Sequence, residues 1–140
     1  MARYLFRCPM RWSDMDAYGH VNNVPFLTYL EEARIEMLQD LITRATTEDG
    51  PGAAGILVAS SAITYERPLV HRATPVPIAV WVTKIGGAHF DLAYEVNDGE
   101  SFVYARASSR MVAYDFRIAR PRRLRPHERA FLESYLEPDG

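Results

Sequence analysis

The sequence predicts an α+β fold, in which an antiparallel sheet of about five strands packs against one long helix. A long amphipathic pattern follows the first strand-like segment, and strand-like segments fill most of the chain after Gly55. Two hairpin signals, Gly86-Gly87 and Asn97-Asp98-Gly99, join neighbouring strands in that second part. This order is typical of a sheet with its helix on one face, and we expect a single domain over residues 1–140.

The first element is predicted as a strand over Tyr4 to Trp12, followed by a loop from Asp14 to Gly19. Apolar residues occupy every second position of this strand, which is the period of one strand face. They are Tyr4, Phe6, Cys8, Met10 and Trp12. The strand therefore leads almost directly into a turn ahead of the helix.

The helix is predicted over Val24 to Arg44, with Asn22 and Asn23 as N-cap residues and Pro25 in the first turn. Its apolar residues recur at spacings of three and four, which indicates one buried face. That stripe is Phe26, Leu30, Ala33, Met37 and Leu41, and the acidic residues Glu31, Glu32, Glu36 and Asp40 lie largely off it. Ala45 to Gly55 has loop composition.

Four strands are predicted after this loop. They cover Ile56–Glu66, Val76–Ile85, His89–Asn97 and Ser101–Phe116, and a short terminal helix covers Pro126–Leu136. The second of these strands is apolar on both faces, as expected for a central strand. The last has one face of small residues against which a helix could lie closely, namely Val103, Ala105, Ala107, Ser109, Met111 and Ala113.

Composition excludes several classes of protein. Of 140 residues, 48% are hydrophobic and 24% charged, as in a globular domain, and the net charge of -2 gives no attraction to nucleic acid or anionic membranes. The single cysteine, Cys8, excludes an internal disulfide framework. The N-terminal segment has no apolar signal-peptide core, and no apolar run is long enough to span a bilayer. We expect a soluble, cytoplasmic protein.

Asp14 and Asp16 stand just before the helix start and are the leading candidates for chemistry. A carboxylate can attack an electrophilic carbon or deprotonate a water molecule. Free N–H groups in the first helical turn can bind an anion or a developing oxyanion. On the residues alone, an equal alternative is that both carboxylates only form Asx turns.

The segment has a D-x-D-x-x-G-H pattern, Asp14-Met15-Asp16-Ala17-Tyr18-Gly19-His20, followed by Val21-Asn22-Asn23 and the helix Tyr29-Leu30-Glu31-Glu32-Ala33-Arg34. It resembles the acyl-CoA thioesterases of the hotdog superfamily, in the branch of 4-hydroxybenzoyl-CoA thioesterase. The His-Val-Asn-Asn run is also similar to that of acyl-carrier-protein thioesterases. The resemblance implies a hotdog fold, with the sheet wrapped around the helix. It also implies hydrolysis of acyl-CoA to a free acid and CoA, without a cofactor.

The resemblance implies that Asp16 is the catalytic residue and that the backbone amide near Asn23 polarises the thioester carbonyl. Substrate contacts are then expected from Tyr18, His20, Asn22, Asn23 and Val24. Four of them have a simpler alternative: the two asparagines as caps, His20 as a hydrogen-bond partner in the turn, and Tyr18 as a contact with a second subunit. A homodimer or homotetramer is expected, with the site between subunits.

Arg120, Arg122 and Arg123 are the best candidates for the phosphates of CoA, because guanidinium groups pair well with phosphate oxygens. Relatives also use basic residues in the turn between the middle strands. Here that turn is Gly86-Gly87-Ala88-His89, with only Lys84 nearby. The alternative for the arginines is a solvated basic edge that discourages pairing between sheets.

Other chemistries fit the sequence less well. Asp14, Asp16 and His20 lack a distant fourth metal ligand, so we expect no metal site. No serine lies in a Gly-x-Ser-x-Gly elbow, and Cys8 on an apolar strand face is expected in the core. Hotdog dehydratases carry a different motif, with Asn where Tyr18 stands. An acyl-carrier-protein substrate and a non-catalytic thioester-binding protein both stay open, as does the identity of the acyl group.

Overall fold

A computed structural model describes residues 3–50, 52–100 and 102–138 of the chain. Its elements are β1 (Tyr4–Cys8), a 3-10 turn (Trp12–Asp14), α1 (Asn23–Asp49), β2 (Gly55–Tyr65), β3 (Val76–Ile85), β4 (His89–Asn97), β5 (Val103–Asp115), β6 (Arg120–Pro121) and α2 (Pro126–Glu133). Pro51, in the predicted loop, and Ser101, in the last predicted strand, lie outside the described residues. No helix in the described ranges is both long and apolar enough to cross a membrane.

All the strands belong to one antiparallel sheet with the order β1-β3-β4-β5-β2, and the short β6 pairs with β5. Both predicted hairpins are present, since β3 and β4 join through Gly86-Gly87 and β4 and β5 join through Asn97-Asp98-Gly99. β2 forms one edge of the sheet and β1 the other. The predicted α+β fold with an antiparallel sheet and one long helix is confirmed.

The core lies between α1 and one face of the sheet. All five residues of the predicted helix stripe are buried, each at most 5% exposed. They share one apolar cluster with the alternating residues of β4, namely Phe90, Leu92, Tyr94 and Val96. Full burial of such side chains contributes about 1.5–3 kcal/mol each, so this stripe is what holds α1 on the sheet.

Three predicted boundaries were wrong by three residues or more, and one of them is the end of the terminal helix, which lies at Glu133 and not at Leu136. The first strand ends at Cys8, because Pro9 cannot continue the ladder, and Trp12 is 77% exposed. The helix continues to Asp49, because Ala45 adds one more buried position to its stripe. Gly50, with φ of 82°, then ends the helix in a conformation that favours glycine.

One edge of the sheet has an apolar surface. Within the described part of the chain, β2 pairs only with β5, so its other edge has no partner strand. Leu57 and Val58 on β2 are 38% and 42% exposed, and Leu27 and Ile35 on α1 are 45% and 49% exposed. Apolar side chains of this size beside an open strand edge are typical of a surface that another chain covers.

Candidate functional site

The loop between β1 and α1 is folded back on itself by backbone hydrogen bonds. Asp16 N–H donates to the His20 carbonyl at 2.8 Å, and Gly19 N–H donates to the Asp16 carbonyl at 3.0 Å. Met15 and Val21 form an isolated antiparallel bridge around this turn. Gly19 has φ of 76°, which side chains rarely adopt, so glycine suits this position. The loop therefore carries Asp16 at a defined position beside the helix start.

The Asp16 carboxylate has one oxygen engaged and one oxygen open. Oδ1 accepts from the backbone N–H groups of Tyr18 at 2.9 Å and His20 at 3.3 Å, which is the Asx-turn geometry considered as the alternative. No partner for Oδ2 is found among the residues that the structure describes. The turn role and a chemical role are therefore compatible, because they use different oxygens of one half-buried side chain.

Asp14 has a different environment and is only 4% exposed. Its carboxylate accepts from the Tyr29 hydroxyl on α1 and from the Arg11 N–H, and it pairs with the Arg11 guanidinium at 3.3 Å. Burial raises the pKa of Asp14, but these hydrogen bonds outweigh it and hold the pKa below its ordinary value of 3.8. Asp14 is thus a buried anion that fastens the loop to α1 and does not itself line a cavity in the way Asp16 does.

The start of α1 provides one open amide. Asn22 is the N-cap, and its side-chain oxygen accepts from Asn23 N–H at 2.8 Å. Phe26 N–H makes the first helical hydrogen bond, to the Asn22 carbonyl, and Pro25 has no N–H. Val24 N–H lies in the first turn, where helix geometry offers it no acceptor. The Asn23 N–H, which was expected to polarise the carbonyl, is therefore occupied by the Asn22 side chain in this structure. The open donor is the N–H of the next residue, Val24.

A cleft of about 430 Å³ joins the loop to the helix start. It is lined by Asp16, His20, Val21, Asn22, Asn23 and Phe26 from these two segments, and by Tyr65, Glu66, Arg67, Pro68 and Leu69 after β2. Asp16, His20, Asn22 and Asn23 are thus brought together at one cleft. Tyr18, 84% exposed, and Val24, 63% exposed, do not line this cleft.

The wall formed by residues 65–69 could not be found from sequence reasoning. Val21 N–H donates to the Leu69 carbonyl at 2.7 Å, and the N–H groups of Glu66 and Arg67 donate to the Tyr104 carbonyl at 2.8 and 3.0 Å. These long-range bonds hold an irregular segment against the loop. The only local signal is Pro68, which stops β2, and it does not indicate what the segment touches. Arg67 lines the cleft that contains Asp16, and its guanidinium lies over the Phe102 ring, with Cζ 4.7 Å from the ring centroid.

The three predicted phosphate ligands lie away from this cleft. Tyr65, which lines the cleft, pairs with Ala105 of β5. Arg120 pairs with Asp115, which lies about ten residues further along the same strand. At a rise of about 3.3 Å per residue, the two ends are separated by about 33 Å. Within one copy of the chain, the arginines and Asp16 are therefore at opposite ends of the sheet.

Arg122 has a structural role. Its guanidinium binds both oxygens of buried Glu128, at 2.7 and 3.0 Å, and also donates to the Gly55 carbonyl at 3.2 Å. Its side chain is only 11% exposed. Of the three predicted phosphate ligands, Arg122 is therefore engaged within the protein, whereas Arg120 and Arg123 are exposed. In the described ranges, no three His, Cys, Asp or Glu side chains cluster closely enough to hold a metal ion.

Comparisons with known proteins identify the family of the chain. The family model of the thioesterase-like superfamily matches residues 10–132. No curated protein matches the sequence. Among solved structures, the PA2801 protein from Pseudomonas aeruginosa is 30% identical over 92% of this chain and 98% of its own, with a TM-score of 0.80.

Two further structures show the same fold. A thioesterase complexed with coenzyme A and Zn from Thermus thermophilus is 26% identical over 94% of this chain and 92% of its own, with a TM-score of 0.76. A protein from Bacillus stearothermophilus, 20% identical over 99% of this chain and 100% of its own, has a TM-score of 0.85 and shows the fold alone. Since the family model covers most of the chain and the sheet wraps the helix as in these neighbours, the protein belongs to the thioesterase-like superfamily of hotdog-fold thioester hydrolases.

Proposed function

We propose that the protein hydrolyses acyl-CoA thioesters to a carboxylic acid and CoA, with Asp16 as nucleophile or general base. One observation carries the proposal. Asp16 lines a cleft at the start of α1 and has one carboxylate oxygen without a partner among the described residues, and the adjacent helical turn has an unused backbone donor. A carboxylate and an oxyanion donor are the two groups that hydrolysis of an acyl carbonyl needs.

In the general-base route, Asp16 takes a proton from water while the oxygen of that water bonds to the thioester carbon. The carbonyl oxygen becomes an oxyanion, which accepts from the Val24 N–H, or from the Asn23 N–H if Asn22 turns away. The C–S bond then breaks, and the sulfur of CoA leaves as a thiol with the proton that Asp16 had taken from water. In the nucleophilic route, an Asp16 oxygen bonds to the carbon, the C–S bond breaks and the CoA thiolate leaves, and water then hydrolyses the mixed anhydride to the free acid and the Asp16 carboxylate. Loss of one oxyanion donor typically lowers such rates by about 100- to 1000-fold.

The remaining predicted contacts are assigned by position. His20 and Asn22 line the cleft with Asp16, and we propose that they contact the thioester end of the substrate. Tyr18 is exposed at the tip of the loop, where it would meet either the acyl group or a second copy of the chain. Arg67 is added as a contact for the pantetheine arm or phosphates, because this cationic residue lines the same cleft.

We propose a homodimer formed through the open edge of β2, with a tetramer as its further assembly. Two β2 strands paired antiparallel about a two-fold axis place the Gly55 end of one beside the Tyr65 end of the other. That arrangement would bring Arg120 and Arg123 of one copy towards the Asp16 cleft of the other. The separation of about 33 Å within one chain is then consistent with phosphate binding by these arginines.

The test is release of free thiol from aromatic, short-chain and long-chain acyl-CoAs by the wild-type protein and by Asp16→Asn. We expect the substitution to lower kcat by at least about 100-fold, because it removes the attacking or proton-accepting group. Asp40→Asn, on the exposed side of α1, is the control and should keep wild-type rates. Circular dichroism would verify that both variants fold.

Equal activity of Asp16→Asn and wild type would mean that another residue carries the chemistry. If neither the wild type nor Asp16→Asn hydrolyses acyl-CoA, the same assay is repeated with acyl-carrier-protein thioesters. Hydrolysis of these by the wild type would show that the substrate is carried by acyl carrier protein and not by CoA. Tight binding without hydrolysis in both assays would establish a non-catalytic thioester-binding protein.

A further inference from the structure

A second cavity of about 430 Å³, called here the α1 groove, lies on the other side of the helix start. Its helical wall includes Val24, Leu27, Glu31 and Arg34, and its floor includes Tyr94 and Ser109 of the sheet. Successive wall residues are three or four positions apart, so they form one strip along α1. The groove begins at Val24, the residue with the open amide, and continues along the helix.

Arg34 is a largely buried cation that has no close carboxylate partner among the described residues. Its side chain is 15% exposed, and its one ion pair is to Glu31, at 3.6 Å between Nη2 and Oε2. The Glu31 side chain is 57% exposed, and an exposed pair at this separation contributes little. Among the described residues no carboxylate or carbonyl oxygen lies within hydrogen-bond distance of Arg34. Arg34 lines the groove, and apart from the Tyr94 hydroxyl no hydrogen-bond acceptor for its five N–H donors is found among the described residues.

The floor of the groove beneath Arg34 is polar, although the surrounding sheet face is apolar. Tyr94 and Ser109 are 2% and 4% exposed, and their hydroxyl oxygens are 2.5 Å apart. Burial raises the pKa of Tyr94, while the Ser109 hydrogen bond and the charge and hydrogen bonding of Arg34 act in the opposite direction. The phenol therefore stays neutral, and the guanidinium is close enough to influence it. Buried hydroxyls beside a cation give this end of the groove a polar site that an oxygen-bearing group can occupy.

We propose that the α1 groove binds the acyl part of the substrate and that Arg34 recognises an oxygen acceptor, a carboxylate above all, at its distal end. The inference rests on the proposed hydrolysis and adds a substrate class to it. A guanidinium is the group best suited to bind a carboxylate with two parallel hydrogen bonds. An acyl chain without an acceptor would remove water from Arg34 and leave its donors unpaired, which is unfavourable.

The helix geometry limits the length of the acyl group. Val24 and Arg34 are separated by about 15 Å along the axis, and an arginine side chain leans back towards the helix start by about one turn, so the guanidinium lies about 10 Å from Val24. A carbonyl bound at Val24 N–H would thus reach Arg34 through an extended chain of about eight carbons, or through a ring with a distal oxygen.

The decisive comparison uses two substrates of equal length, suberyl-CoA with a free distal carboxylate and octanoyl-CoA without one. We expect the ratio of their kcat/KM values to favour suberyl-CoA and to fall about 10- to 100-fold in Arg34→Met, as for loss of a hydrogen bond between charged groups. Arg34→Lys should lower the ratio less, because lysine keeps the charge without the planar fork. Arg44→Gln is the matched control, since Arg44 lies on the same helix, is exposed and pairs with Glu48.

An unchanged ratio in folded Arg34→Met, with hydrolysis intact, would overturn the inference and leave the proposed hydrolysis standing. If Arg34→Met does not fold, Arg34→Lys and Ser109→Ala provide the same test. Each should lower the ratio of kcat/KM for suberyl-CoA to kcat/KM for octanoyl-CoA, and an unchanged ratio in both would overturn the inference. If the wild type hydrolyses neither substrate, calorimetry with the two CoA esters separates the proposals. Preferential binding of suberyl-CoA that Arg34→Met abolishes would support recognition in the groove, whereas equal binding of both esters would overturn it.

Discussion

Tyr29 and Asp14 form the support behind the candidate catalytic loop. The Tyr29 hydroxyl donates to the buried Asp14 carboxylate, and Asn22 N–H donates to the Asp14 carbonyl at 3.0 Å. Asp14 therefore joins the loop to α1 in two places, through its side chain at Tyr29 and through its backbone carbonyl at Asn22. Asp14 does not line the Asp16 cleft, so we assign it a positioning role.

Tyr29→Phe should lower the free energy of unfolding by about 1–3 kcal/mol, because a buried carboxylate loses a hydrogen bond. Urea unfolding measures the change, and Tyr18→Phe, at an exposed tyrosine, is the control. We also expect kcat to fall more than KM rises, since Asp16 loses its fixed position. Stability equal to wild type would show that this hydrogen bond contributes nothing.

The pKa of Asp14 predicts a pH dependence of stability. Its folded-state pKa lies below the ordinary 3.8, despite burial, because Tyr29 and Arg11 donate to the carboxylate. The stabilisation that the Asp14 carboxylate contributes is therefore complete above its unfolded-state pKa. It is lost as the pH falls through its folded-state pKa. The difference in unfolding free energy between wild type and Asp14→Asn should shrink from pH 5 to about pH 3. A difference that is constant over this range would contradict the assignment.

At the scale of elements, α2 is attached to the sheet by a buried ion pair. Glu128 is 2% exposed, accepts from both terminal nitrogens of Arg122, and caps its own helix through the Arg125 N–H at 2.8 Å. Burial raises the pKa of Glu128, but these partners outweigh it and hold the pKa below its ordinary value. The carboxylate is therefore charged at neutral pH.

Glu128→Ala should destabilise the protein by about 3–5 kcal/mol, because it leaves the buried Arg122 without its counter-charge. Thermal and urea unfolding measure the loss. Glu133→Ala, an exposed position on the same helix, should change stability by less than about 0.5 kcal/mol. Equal effects of the two substitutions would mean that the pair does not hold α2.

At the scale of the whole molecule, the open edge of β2 is the proposed contact between copies. Leu57→Lys places a charge on this edge and should convert a dimer to monomers, as charged residues on edge strands oppose pairing. Light scattering after size-exclusion chromatography measures the mass. Leu5→Lys, on β1 at the opposite edge and 49% exposed, is the control and should leave the assembly intact.

Hydrolysis should decline together with the dimer in Leu57→Lys if the second copy supplies phosphate contacts. A monomeric wild type, or a Leu57→Lys protein that remains dimeric, would refute pairing through β2. A monomeric variant with full activity would instead refute the contribution of Arg120 and Arg123 from the second copy.

Most of the fold followed from periodicity and turn chemistry in the sequence. The bounds of β3 and β4 and the stripe of α1 were predicted correctly, because burial on one face imposes a period of two on strands and 3.6 on helices. The end of α1 was missed at Ala45, where Thr46 and Thr47 resemble loop residues. Their hydroxyls donate to the carbonyls of Ile42 and Thr43 within the helix. Amino-acid composition alone does not reveal these two hydrogen bonds.

By itself the sequence determined that the chain forms an antiparallel sheet around one helix, with Asp16, His20, Asn22 and Asn23 close together. These residues are neighbours along the chain, so a local turn and a cap suffice to bring them together. Only the tertiary structure decided that residues 65–69 complete the cleft, that Arg122 binds Glu128, and that Arg34 faces a groove. Each of those depends on contacts between distant segments, and such contacts are set by the packing of the whole sheet rather than by local pattern.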